Sequence, residues 1–98
     1  MLHIINRSPL SDTALESCLN TATGGDVLLI EDAVYAATTG NAYEGKLRAA
    51  MGKFRISVLR PDLEARGLAD KLLDGAAFVD YAGFVELVVA NKTCQSWL

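Results

Sequence analysis

Histidine and tryptophan occur once each in these 98 residues, and cysteine and proline twice each. A site built on an imidazole therefore has only His3 to draw on, and neither a carboxylate nor a thiol stands near it in sequence. A structural role is the simpler reading for it. Cys18 and Cys94 lie too far apart to form a metal-binding spacing or a disulfide framework. No basic run exists, and 12 acidic against 9 basic residues leave a net charge of −3. Nucleic-acid affinity comes largely from Lys and Arg on phosphates, so direct tRNA or DNA binding by this chain is not expected. No apolar run approaches the roughly 18 residues of a membrane span. The polar stretch Asn6-Arg7-Ser8-Pro9 comes too early for a signal-peptide apolar region. With so few cysteines, the expected location is the reducing cytoplasm.

Apolar side chains are abundant. They make up 51% of the residues, and the mean hydropathy is +0.23. A chain of this length forms one domain, residues 1–98, and buries only roughly 60–65% of the surface its unfolded form exposes. It cannot hide that much apolar surface within itself, and the excess points to a partner.

Short apolar runs alternate with amphipathic stretches, the pattern of parallel strands joined by helices. Leu2 to Ile5 reads as the first strand. A helix follows, with Thr13 and Glu16 spaced as a capping box and Ala14, Leu15, Cys18, Leu19 and Ala22 on one face. Gly24-Gly25 turns the chain into Val27-Leu28-Leu29-Ile30, a continuous apolar run typical of a strand covered on both faces. After Glu31-Asp32 and a polar break at Thr38 to Asn41, a helix is expected over about 42 to 51. Phe54 to Leu59 is the third strand, and Pro61 and Gly67 bracket a short helix. Ala76 to Val79 is the fourth strand. Asp80 caps an amphipathic helix marked by Tyr81, Phe84, Val85, Val88 and Val89, and Thr93 to Trp97 ends the sheet. The expected fold is α/β: a flavodoxin-like single domain of about five mostly parallel strands with helices on both faces.

In open parallel sheets, ligands and partners meet the carboxyl ends of the strands. Those ends offer Asn6, Arg7, Ser8, Glu31, Asp32, Arg60, Asp80 and Tyr81, a mixed-charge rim without a nucleophile–base pair. Gly24-Gly25 follows a helix and precedes a strand, the reverse of a phosphate-cradling loop. Neither a nucleotide nor a metal is expected, and no cofactor is assigned. Glu31 and Asp32 are adjacent, so their side chains point apart and do not form an acid–base pair. Cys18 is the one candidate for chemistry. Its place inside the first helix, near Glu16, supplies nothing to lower a thiol pKa, so it is either a small buried hydrophobe or a reactive thiol. Cys94, in the last strand, is equally ambiguous.

The segments themselves resemble a known family. Met1-Leu2-His3 with Arg7-Ser8-Pro9, the run from Gly25 through Glu31-Asp32 to Ala37, and Pro61-Asp62-Leu63-Glu64-Ala65-Arg66-Gly67 are similar to the DsrH/TusB family of sulfur-relay subunits. Val79-Asp80-Tyr81-Ala82-Gly83-Phe84-Val85 and the ending Gln95-Ser96-Trp97 match in the same order. The resemblance covers nearly the whole chain. It implies a DsrE/F/H-like fold and a supporting role in a sulfurtransferase complex. The implied partners are DsrE/TusD-like and DsrF/TusC-like subunits in a dimer of heterotrimers, with a downstream DsrC/TusE-like sulfur carrier. Sulfur would travel as a persulfide, for sulfur oxidation or for 2-thiolation of wobble uridine in tRNA. Cys18 matches a first-helix cysteine of the DsrH-like branch, which makes it the candidate sulfur acceptor and tilts the reading towards oxidation. Ala33 stands where many relatives have glycine, so the backbone after the acidic pair is expected to differ. Cys94 matches no family cysteine. The rivals are a stand-alone thiol enzyme using Cys18 and a purely structural binding module.

Overall fold

A computed structural model describes residues 1–97 as one five-stranded sheet in the order β4-β3-β2-β1-β5. The strands are β1 (Leu2–Ile5), β2 (Gly25–Leu29), β3 (Phe54–Leu59), β4 (Ala77–Val79) and β5 (Cys94–Trp97), and every pairing is parallel. Parallel neighbours require crossovers. They are supplied by α1 (Ala14–Thr21), α2 (Glu44–Ala50), α3 (Arg60–Ala65) and α4 (Tyr81–Ala90). The first four strands step outward in sequence order, and the last crossover then carries the chain back past β1.

Strand alternation divides the buried residues between two faces. Ile5, Val27, Leu29, Phe54, Ile56 and Val58 form the main core with Leu15 and Cys18 of α1, Tyr43 and Leu47 beside and in α2, and Leu63 of α3. Leu2, Leu28 and Leu59 are also buried but lie outside that cluster, on the opposite face. That second face belongs to α4, whose C-cap Asn91 donates through Nδ2 to Asp26 Oδ2 of β2 at 3.1 Å. Three helices thus cover one face and a single helix the other.

Local sequence explains most boundaries. Asp80 accepts from the Gly83 N–H at 2.7 Å and starts α4 as expected of an N-cap. Pro61 sits in the first turn of α3, where its missing N–H is not needed. The anticipated capping box on α1 does not form. Thr13 makes no side-chain cap bond; Asp12 Oδ1 takes the Ala14 N–H at 2.8 Å, and Glu16 reaches Lys46 across α2 at 2.9 Å. Gly25 starts β2 at φ +113°, and a Cβ there would stand 2.6 Å from the Met1 carbonyl oxygen, so only glycine fits. Two short 3-10 helices, Glu31–Ala37 and Ala69–Lys71, occupy stretches that have no helical period in sequence. The first buries Ala33, Val34, Ala36 and Ala37. The residue with left-handed backbone in that turn is Glu31, at φ 50°, rather than Ala33.

Candidate functional site

The carboxyl-end rim is built from side chains that occupy one another. Asp62, in the first turn of α3, accepts the Glu31 N–H at 2.6 Å, which holds Glu31 in its left-handed conformation. Asn6 Nδ2 reaches Glu31 Oε2 at 3.3 Å. Arg66 donates from Nε and Nη2 to Asp32 Oδ1, at 3.2 and 2.8 Å, and from Nη1 to the Asp62 carbonyl. Glu31 and Asp32 therefore point to different partners, and this rim braces the β2 and β3 ends. Beside it, Arg60 lies over the Phe78 ring at 5.0 Å, at the mouth of a groove of about 420 Å³ that Asp80 and Glu86 also line. No three metal-type side chains gather among the described residues.

Cys18 is fully buried. Its helix, which packs on β1 and β5, turns it into the core with Leu15, and burial pushes its thiol up to about 11. At pH 7 only about one thiol in ten thousand is then ionised, and the thiolate is the attacking species. Near it, Tyr43 is also raised, first by burial and then by Glu16 and Cys18. Cys94 is exposed on the edge strand β5, in register with Leu2 and so on the α4 face. His3 is 3% exposed within β1, and its Nδ1 accepts the Trp97 indole N–H at 3.2 Å. The structure brings none of these three groups together in a hydrogen bond.

The sequence locates α4 by its period but does not say which side of it meets the sheet. Tyr81, Val85 and Val89 are 63%, 61% and 79% exposed, with Val88 also open to solvent, while Phe84 and Leu87 face the sheet half-buried. Because residues four apart share a face, Tyr81, Val85 and Val89 make one uncharged apolar stripe along the outer side of the helix. Beside it, over β3 and β4 where a second helix would complete the layer, runs a groove of about 460 Å³ that includes Arg55, Ser57, Ala77, Leu87 and Ala90. Arg55 binds Asp26 at 2.9 Å and keeps most of its side chain in solvent. An apolar stripe next to a shallow groove is a protein-docking surface in chemical terms.

The family model described as DsrH like protein matches residues 7–94. The chain belongs to the DsrH family. Protein TusB of Shigella flexneri is 39% identical to this DsrH-family chain over 98 residues, covering 99% of it and 100% of that protein. Protein TusB of Escherichia coli K12 is 38% identical over the same span. Among solved structures, the YchN protein of E. coli superposes with a TM-score of 0.75 at 15% identity, covering 97% of both chains. MTH1491 from Methanobacterium thermoautotrophicum superposes at 0.76 with 18% identity, covering 97% of this chain and 95% of that one. Those two likenesses establish the fold. Among the described residues no helix is long and apolar enough to cross a membrane.

Proposed function

We propose that this chain is a non-catalytic or weakly catalytic subunit of a cytoplasmic sulfurtransferase complex that relays persulfide sulfur to a carrier protein. Its own contribution is a surface. The observation that carries this is the bare apolar stripe of α4 on a DsrH-family domain whose described residues hold no spare helix to cover it. The partners are DsrE/TusD-like and DsrF/TusC-like subunits, assembled as a dimer of heterotrimers, with a DsrC/TusE-like carrier downstream. In such a relay a thiolate attacks the outer sulfur of a donor persulfide; the new persulfide forms as the donor departs as a thiolate. Cys18 meets neither requirement in its own fold, since it is buried and protonated. The relay thiols then belong to the partners, and Cys18 packs.

The full-length likeness to TusB proteins favours the arm that ends in 2-thiolated wobble uridine over the oxidative one. The test is to tag the chain in its native cell, identify what co-purifies, and measure 2-thiouridine in tRNA after the gene is deleted. Two small partner subunits and a loss of 2-thiouridine are expected. A chain that purifies alone, from cells whose tRNA is unchanged by the deletion, would refute the reading. The second reading, Cys18 as sulfur acceptor, rests on the family likeness of its helix position and is decided by mass spectrometry of the sulfur-loaded complex.

A further inference from the structure

We infer that His3 and Trp97 form an acid-released latch that fastens the C-terminal strand to the sheet. β5 is an edge strand whose only ladder partner is β1. Beyond that ladder, its hold on the main core comes through Trp97, which packs partly buried against it. The indole N–H can only donate, so it requires an acceptor, and the acceptor is His3 Nδ1 at 3.2 Å. That bond fixes the imidazole as the neutral tautomer with Nδ1 bare. The two rings lie 6.2 Å apart, and the Phe54 ring stands edge-on to His3 at 6.3 Å.

Protonation converts Nδ1 from acceptor to donor, so the indole N–H and the new ring N–H then face each other. It also places a positive charge in a site that is 3% exposed. The surroundings offer that charge little relief. Among the charged groups on this side, the Met1 ammonium acts directly against the charge, and Lys53 Nζ lies 5.3 Å from the Phe54 ring centre; Glu16, which lines the same groove as Lys53, is already paired with Lys46 at 2.9 Å. Burial and the N-terminus lower the His3 pKa and outweigh hydrogen bonding with the Gly24 backbone, which raises it. A folded pKa below the unfolded value of about 6.5 means that the unfolded strand binds more protons in this range. The latch is therefore complete above about pH 6.5 and weakens as pH falls towards the folded pKa. Opening it uncovers the outer edge of β1, which β5 otherwise pairs, while the rest of the sheet stays paired.

The single histidine and single tryptophan make this measurable without mutation. The full chain is labelled with 5-fluorotryptophan and ring-labelled histidine, alone or reassembled with unlabelled partners, and followed by NMR from pH 8 to 5. The His3 resonance is expected to titrate below 6.5, the Trp97 fluorine signal to move with the same midpoint, and far-UV circular dichroism to keep its helical signal. His3→Asn, which retains an acceptor near the Nδ1 position but cannot be protonated in this range, abolishes the Trp97 step. A Trp97 signal that stays still while His3 titrates overturns the latch, and so does a Trp97 step that survives in His3→Asn. Should that variant fail to fold, Trp97→Phe decides the matter. The His3 pKa then moves back towards 6.5 if the latch is real, and an unmoved pKa overturns it.

Discussion

Replacing Cys18 separates a packing role from a relay role, because the two roles order the variants differently. The thiol is wholly buried in the main core. Cys18→Ala deletes one sulfur, comparable to removing one methylene, at about 1 kcal/mol plus a small cavity cost. Cys18→Ser adds a hydroxyl to the same apolar site, and leaving it unpaired costs about 1–3 kcal/mol more. A back-bond to the Ala14 carbonyl, one turn earlier, brings the serine towards the lower end. For a domain this size each kcal/mol lowers the Tm by about 4–8 °C. The alanine variant should therefore melt about 4–10 °C lower and the serine variant clearly lower still. Both should support sulfur transfer in the assembled complex once folded. Thermal circular dichroism of the purified complex gives the stabilities, and 2-thiouridine in tRNA gives the activity. Two variants that melt within a degree of the parent while sulfur transfer collapses would refute packing and reinstate Cys18 as the acceptor. So would sulfur found on Cys18 by mass spectrometry after loading.

Val85→Asp or Val89→Asp, at solvent-facing positions of α4, should leave the melting of the isolated chain within about 0.5 kcal/mol of the parent. Either should weaken co-purification with partners severely, and unchanged assembly would remove α4 from the interface. Gly25→Ala forces a side chain against the Met1 carbonyl at a left-handed φ. It should destabilise by at least about 1–3 kcal/mol, read as a lower denaturant midpoint with an unaltered slope.

How much of this was legible beforehand differs by element. The five strands and four helices follow from period and punctuation: the continuous run Val27 to Ile30, Pro61 with Gly67, and Asp80 as a cap. The strand order was not legible, because neighbours in a parallel sheet are set by crossover geometry rather than by local sequence. The 3-10 helix Glu31–Ala37 was hidden for a different reason. Its hydrogen bonding depends on Asp62, 31 residues away from Glu31, which accepts the N–H of the left-handed residue. The spacing of Thr13 and Glu16 suits a capping box, but in the fold Asp12 takes the Ala14 N–H and Lys46 claims Glu16. On the site, the sequence leaves Cys18 open between packing and reaction, and only the fold supplies its burial, which favours packing. His3 reads as structural in the sequence, and the partner its ring finds in the fold lies 94 residues on and leaves no local trace.

The α4 stripe is visible in the sequence as a period, but not the side of the helix to which it belongs. The helix is apolar on both sides, so periodicity alone could not say which side meets the sheet. Its outer side also bounds what the surface can do. Fully burying a Val or a comparable side chain contributes about 1.5–3 kcal/mol, and the stripe exposes between about two-fifths and four-fifths of each of its members. Tyr81, Val85, Val88 and Val89 together thus offer roughly 4–7 kcal/mol. Association costs about 4–15 kcal/mol in lost rigid-body freedom, so the stripe alone leaves little or nothing over for affinity. A lasting complex has to recruit more surface, and what adjoins the stripe is the groove over β3 and β4, where Arg55 offers an exposed guanidinium already oriented by Asp26. An interface that spans helix and groove gives the uncovered half of the sheet a protein layer equivalent to the one that α1, α2 and α3 provide on the other side. On this account the domain is a sheet with one layer unfinished, and the partner completes it.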